Sequence, residues 1–145
     1  MVGFNVIKDI ADRPSRIVAC SSATYAAGDL VELTAGSTDW AKVTSTSNFF
    51  TRKAILMAPG TTVTSILVME LTGNELVRAE SANASAVAHN GDRMAFTDAN
   101  TVNNSASDVT GQAVGFVQTG TTGATSDNQI IGYVLVGSGV DPDAA

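Results

Sequence analysis

The sequence predicts an all-β fold: a single-domain β-sandwich or barrel with an N-terminal arm. Three observations predict it. Apolar and polar residues alternate in short runs, the period that turns one set of side chains onto a buried sheet face. Turn residues punctuate those runs at the spacing of a sandwich or barrel, and no run reads as a long helix. A Gly-Asp corner occurs twice, with Gly28-Asp29-Leu30-Val31-Glu32-Leu33-Thr34 echoed by Gly91-Asp92-Arg93-Met94-Ala95-Phe96-Thr97. Each copy turns, alternates and ends on Thr, which predicts a partly duplicated layout with Val31, Leu33, Met94 and Phe96 facing inward. The Asp of each corner reads as a turn residue, and its Gly permits the bend.

The elements follow in order. Residues 1–16 mix Phe4, Val6, Ile7 and Ile10 with Lys8, Asp9, Asp12, Arg13 and Arg16. Asn5 can cap one or two helical turns that Pro14 ends, and the alternative is an extended arm. Either form needs something to pack on. Residues 16–20 are a short apolar run, and 21–24 read as a connection. Strands are expected at 29–34 and 40–43, joined by a turn at 35–39, and at 53–58, ended by Pro59-Gly60. The β-branched run 62–71, the turn Thr72-Gly73-Asn74 and the return at 75–79 predict a hairpin. Residues 80–90 suit a short helix or a loop, 92–97 the second corner strand, and 98–110 a polar surface excursion. Strands at 112–119 and 129–136 flank a Gly/Thr loop at 120–128. The expected organisation is an arm at 1–16, a β core at 17–136 and a flexible tail at 137–145.

Composition narrows the function classes. The chain has 145 residues, a size that buries a core in one domain. Charged residues make up 15%, against about 25% in ordinary globular chains. Such a surface suits contact with protein more than capture of a charged ligand. The net charge is −6, and no Lys or Arg follows Arg93. An acidic chain without a basic stripe is a poor match to nucleic acid. No basic-then-apolar leader opens the sequence and no apolar run approaches the ~20 residues that span a bilayer, so a cytoplasmically made, membrane-free protein is expected. Cys20 alone gives no intramolecular disulfide, and it reads as a small buried hydrophobe.

No residue set declares a reaction. His89 is the single histidine and lies in a predicted turn, while zinc sites usually recruit several His or Cys. A Gly-x-Ser-x-Gly elbow is absent. The loop Gly120-Thr121-Thr122-Gly123 lacks the Lys and following helix that a phosphate cradle requires. Asp39 and Asp98 lie near turns without the spaced ligands of a calcium loop. Glu32 and Glu70 fall at outward-facing strand positions, where solvated or interface roles are expected. Trp40 reads as core or interface. The expectation is therefore no enzyme, no metal and no cofactor.

The early corner Ala27-Gly28-Asp29-Leu30-Val31-Glu32-Leu33, the approach Val87-Ala88-His89-Asn90-Gly91-Asp92 and the late strand Gln112-Ala113-Val114-Gly115-Phe116-Val117 carry a resemblance. With low charge, much Ala, Gly and Thr, and an N-terminal arm, the organisation resembles tailed-bacteriophage capsid decoration (cement) proteins over about residues 16–136. The resemblance implies a jelly-roll or β-tulip core and a non-enzymatic virion role on the capsid exterior. It implies partners as well: the major capsid protein, and the chain itself as a homotrimer or homodimer. The contact residues it implies are Phe4, Ile7 and Ile10, burying apolar area on a neighbour, with Arg13 and Arg16 pairing with its acidic groups. Two alternatives stand beside it: within virion parts, a tail, baseplate or small jelly-roll coat protein, and, from another class, a carbohydrate-binding module using Trp40 and Tyr25 as platforms.

Overall fold

The computed structural model describes residues 3–8, 14–34, 36–105, 113–122 and 128–137. The chain is all-β. Its strands are β1 (Asn5–Lys8), β2 (Arg16–Tyr25), β3 (Leu30–Leu33), β4 (Ala41–Lys42), β5 (Arg52–Leu56), β6 (Gly60–Glu70), β7 (Leu76–Ser81), β8 (Arg93–Asp98), β9 (Thr101–Asn103), β10 (Phe116–Thr121) and β11 (Gln129–Val134).

The strands form two closed sheets of one design. The first runs β2-β6-β5-β3-β4. Trp40, just before β4, returns to β2: its carbonyl accepts from Ser21 N at 2.9 Å and its amide donates to Ala19 O at 3.0 Å. The second runs β7-β11-β10-β8-β9, and β9 returns in parallel to β7 with Ser81 opposite Val102. There Ala82 N donates to Val102 O at 2.9 Å, the counterpart of the Ser21 bond. Strands β2 to β6 and β7 to β11 therefore trace the same path in the same order. Closure removes most of the edges that an open sheet exposes. β1 adds to the outside of β7, with Val6 opposite Val77.

The two corners make the same backbone hydrogen bonds. Asp29 N donates to Ala26 O, and Asp92 N to His89 O. Gly28 N reaches Leu56 O while Leu56 N reaches Asp29 O; Gly91 and Asp92 make the same pair of bonds with Gln118. Gly28 and Gly91 sit at φ 91° and 92°. Asn90 at φ −61°, ψ 125° completes a type II turn, whose third residue needs positive φ. A Cβ on Gly91 would meet nothing within 4 Å. Gly91→Ala thus isolates the backbone strain, and a loss of about 1–2 kcal/mol is expected in urea unfolding.

Each barrel has its own core, and the second core also receives the first barrel. Cys20, Tyr25, Val31, Trp40, Ala54, Leu56, Ile66 and Val68 fill the first. The second cluster, around Val77, Met94, Phe96, Val102, Phe116, Ile130 and Val134, also takes in Leu30, Val43, Ile55 and Leu71 from the outside of the first barrel. Leu30 N donates to Ala99 O at 2.7 Å across this junction. β3 and β5 are thus covered on both faces, alternate residues going to different cores.

Several expectations are corrected. The run ending at Leu71 and the run after Glu75 are not a hairpin, because β6 and β7 belong to different sheets. The turn between them is the link between barrels. The buried Glu75 carboxylate holds it by accepting from Thr72 N and Gly73 N at 2.9–3.0 Å. Residues 21–24 are not a connection, since β2 runs on to Tyr25. Residues 80–90 begin inside β7 and then hold a loop with one 3-10 turn at Val87–His89, within the helix-or-loop expectation, and the polar excursion contains β9. Of the two forms open for the arm, residues 5–8 take the extended one, but as an edge strand paired with the chain's own β7. The tail from 138 onward lies outside the described residues.

Candidate functional site: an uncharged face on the first barrel

Ile17 stands opposite Leu67, and Met57 N donates to Leu67 O at 2.8 Å, so the three side chains form a row across β2, β6 and the end of β5. The neighbours on each strand, Val18, Val68, Leu56 and Ile66, belong to the first core. Strand alternation therefore turns the row outward. Ile17 is 74% exposed and Met57 44% exposed, with Leu67 half-buried between them. The adjacent row pairs Ala19 with Ser65, both exposed and uncharged.

The second barrel supplies an internal comparison. Gly132 occupies the place of Val68, since each pairs with the residue that accepts from its corner glycine. The places of Ile17 and Ala19 are then held by Arg78, opposite Ile131, and Glu80, opposite Gln129. One fold position thus bears charge in one half and none in the other. A large apolar side chain that the fold leaves in water, where its counterpart carries charge, makes this row the candidate contact surface.

At the end of the first barrel the inward-facing positions carry charge. Arg52 holds Glu70 in a two-bond grip, Nε to Oε2 at 2.8 Å and Nη2 to Oε1 at 2.7 Å, and Arg16 Nη2 reaches the same Oε1 at 2.5 Å. These guanidiniums, Arg52 first, hold the Glu70 carboxyl below the usual carboxylate range. Arg52 also lies 5.6 Å above the Trp40 ring, a cation–π contact. Glu70 is therefore not the outward residue expected, but part of a lid.

A second ionic group is buried between the barrels. Lys53 has no exposed surface; its Nζ donates to Asn48 O at 2.7 Å and Thr51 Oγ1 at 2.6 Å, with Leu135 O at 3.4 Å. Burial pushes its pKa down to about 8, and the neighbouring Glu32 opposes the shift. Glu32 stands opposite Lys53 in register and accepts from Ser47 Oγ. It too is buried, contrary to the outward placement expected. The ammonium is filled by main-chain and hydroxyl oxygens, which makes it a structural pin.

The five expected contact residues separate. Phe4 is fully buried and packs edge-on against Phe96 at 5.8 Å between ring centroids, so it belongs to the chain's own core and is not free for a neighbour. Ile7 on β1 is 45% exposed. Ile10 and Arg13 lie outside the described residues. Arg16 is engaged by Glu70. Trp40 and Tyr25 are both buried, so neither is a sugar platform. His89 Nδ1 meets Asp92 Oδ2 at 3.0 Å, a hydrogen-bonded turn histidine as expected. Among the described residues no group of three or more His, Cys, Asp and Glu is placed to hold a metal. Sequence reasoning missed the row at Ile17. The available signal was Ile17-Val18 on a barrel strand, where adjacent apolar residues cannot both point inward.

No protein-family model matches the chain, and no curated protein matches its sequence.

Proposed function

We propose that this chain is a non-enzymatic structural protein of a tailed-phage virion, which binds the outer surface of the capsid and ties neighbouring major capsid subunits together. The exposed row Ile17–Leu67–Met57 carries the proposal. Its low charge fits broad protein contact, and the net charge of −6 disfavours packaged nucleic acid as the partner. Covering Ile17 fully contributes about 1.5–3 kcal/mol. A single site of that size is weak, and many copies on a symmetric shell, as dimers or trimers, supply the avidity. The two buried aromatics count against the carbohydrate-binding alternative.

The test is co-sedimentation with intact phage heads. The unmodified chain is expected to pellet with heads, and Ile17→Glu with Met57→Glu is expected to stay in the supernatant at unchanged thermal stability. Both substitutions fall on exposed positions, so the fold does not confound the result. Equal pelleting of the double variant would remove this face from the proposal, and failure of the unmodified chain to bind any head would remove the proposal itself.

A further inference from the structure

Behind their matching backbone bonds the two corners carry different side chains. Gly28 follows Ala27, and its amide donates to the carbonyl of Leu56, whose side chain lies in the first core. Gly91 follows Asn90, and its amide donates to the carbonyl of Gln118 at 2.7 Å. Gln118 is fully buried. Its Nε2 donates to Ala86 O and to Asn90 Oδ1, each at 2.9 Å. Ala86 O can only accept, so this end of the Gln118 amide is the nitrogen. Among the described residues, Gln118 Oε1 is the buried side-chain polar atom left without a hydrogen-bond partner. A leucine at this place would strand no polar atom. What the glutamine adds over a leucine is the pair of bonds from Nε2.

Asn90–Gly91 is the single Asn-Gly pair in the chain, and Asn90 is exposed. In such a pair the second residue has no Cβ to hinder its own amide nitrogen. That nitrogen can lose its proton to a solvent base and attack Cγ of the asparagine. The new N–C bond closes a succinimide, and the side-chain amide leaves as ammonia. Water then opens the ring at either carbonyl, leaving aspartate or isoaspartate, about one mass unit heavier than asparagine. Isoaspartate lengthens the backbone by one carbon between residue 90 and Gly91, in the middle of the type II turn.

We propose that Gln118 guards Asn90–Gly91 against this cyclisation. Both reacting groups are tied to it. Its main-chain carbonyl takes the Gly91 N–H whose proton must be lost, and its Nε2 holds the Asn90 side chain in one rotamer. The first corner has Ala27 before its glycine and so no amide to guard, and there a leucine fills the place. Gln118 is thus a positioning residue for the integrity of the chain itself. The inference stands apart from the capsid proposal, since it concerns covalent chemistry within one copy.

Gln118→Leu copies the first barrel and tests the guard. The folded variant and the unmodified chain are held in mildly alkaline buffer, and peptide mass spectrometry follows the mass gain and isoaspartate at residue 90. The variant is expected to convert about five- to tenfold faster, the worth of one neutral hydrogen bond. Ile130→Val loosens the same barrel's core without touching Gln118 and is expected to leave the rate unchanged. Should the leucine variant not fold, Gln118→Met, unbranched and without an amide, is read in its place. A variant rate equal to or below that of the unmodified chain, or an equal rise in Ile130→Val, would overturn the guard.

Discussion

Phe96→Ala is expected to cost about 4 kcal/mol, enough to leave a domain of this size close to unfolding. Phe96 lies on β8 inside the second barrel, almost fully buried, and meets Phe4 edge-on. It also fills the space that Gly115 leaves open: a Cβ there would stand 2.1 Å from the ring. Truncation removes the ring's transfer energy and opens a cavity that closed strands cannot collapse into. The loss falls on both barrels, because Leu30 and Ile55 reach the same cluster from the first. Urea unfolding should show one transition at a lower midpoint, and a cost under about 2 kcal/mol would show that the site repacks.

Lys53→Met is expected to cost about 3 kcal/mol near neutral pH. The apolar stem is replaced in kind, but Glu32 loses its cation and the carbonyls of Asn48 and Leu135 lose their donor. The pH dependence is a sharper signature. The folded pKa is depressed to about 8 from an ordinary 10.5. Below about 8 both states hold the proton, and folding carries the whole cost of burying the charge. Between the two values the unfolded chain holds more protons, so stability rises with pH. Burial raises the Tyr25 phenol pKa, and above pH 10 its unfolded form ionises first, which reverses the trend. The unmodified chain should therefore gain stability from pH 8 to 10, on the order of 2 kcal/mol. Lys53→Met should be flat across that window; an equal rise in the variant would assign the effect to another group.

The parts of this fold that were legible in the sequence are those governed by neighbours along the chain. Alternation at Met94 and Phe96 marked inward faces because a strand's period is local. The two Gly-Asp corners were legible as turns because the left-handed backbone at Gly28 and Gly91 selects glycine wherever it occurs. Cys20 reads as a buried hydrophobe and is one, while Trp40 reads as core or interface and the structure puts it in the core. The expected alternation also misled. Glu32 and Glu70 sit in polar slots of alternating runs, but β3 is covered on both faces and the inward slots at the end of the first barrel are filled by ions.

What the sequence by itself determined is the all-β class, the corner turns and the partial repeat. Only the tertiary structure decided that the repeat is complete, that β6 and β7 part company at Glu75, that Lys53 is sealed between the barrels and that Ile17 is left in water. The physical reason is the same in each case. Strand pairing joins residues far apart in the chain, and it preserves backbone hydrogen bonds whatever side chain stands there. Arg16 and Val77 hold one fold position, as do Ile17 and Arg78. Side-chain likeness between the halves is slight, while strand pairing, which no single stretch of sequence encodes, is the same in both.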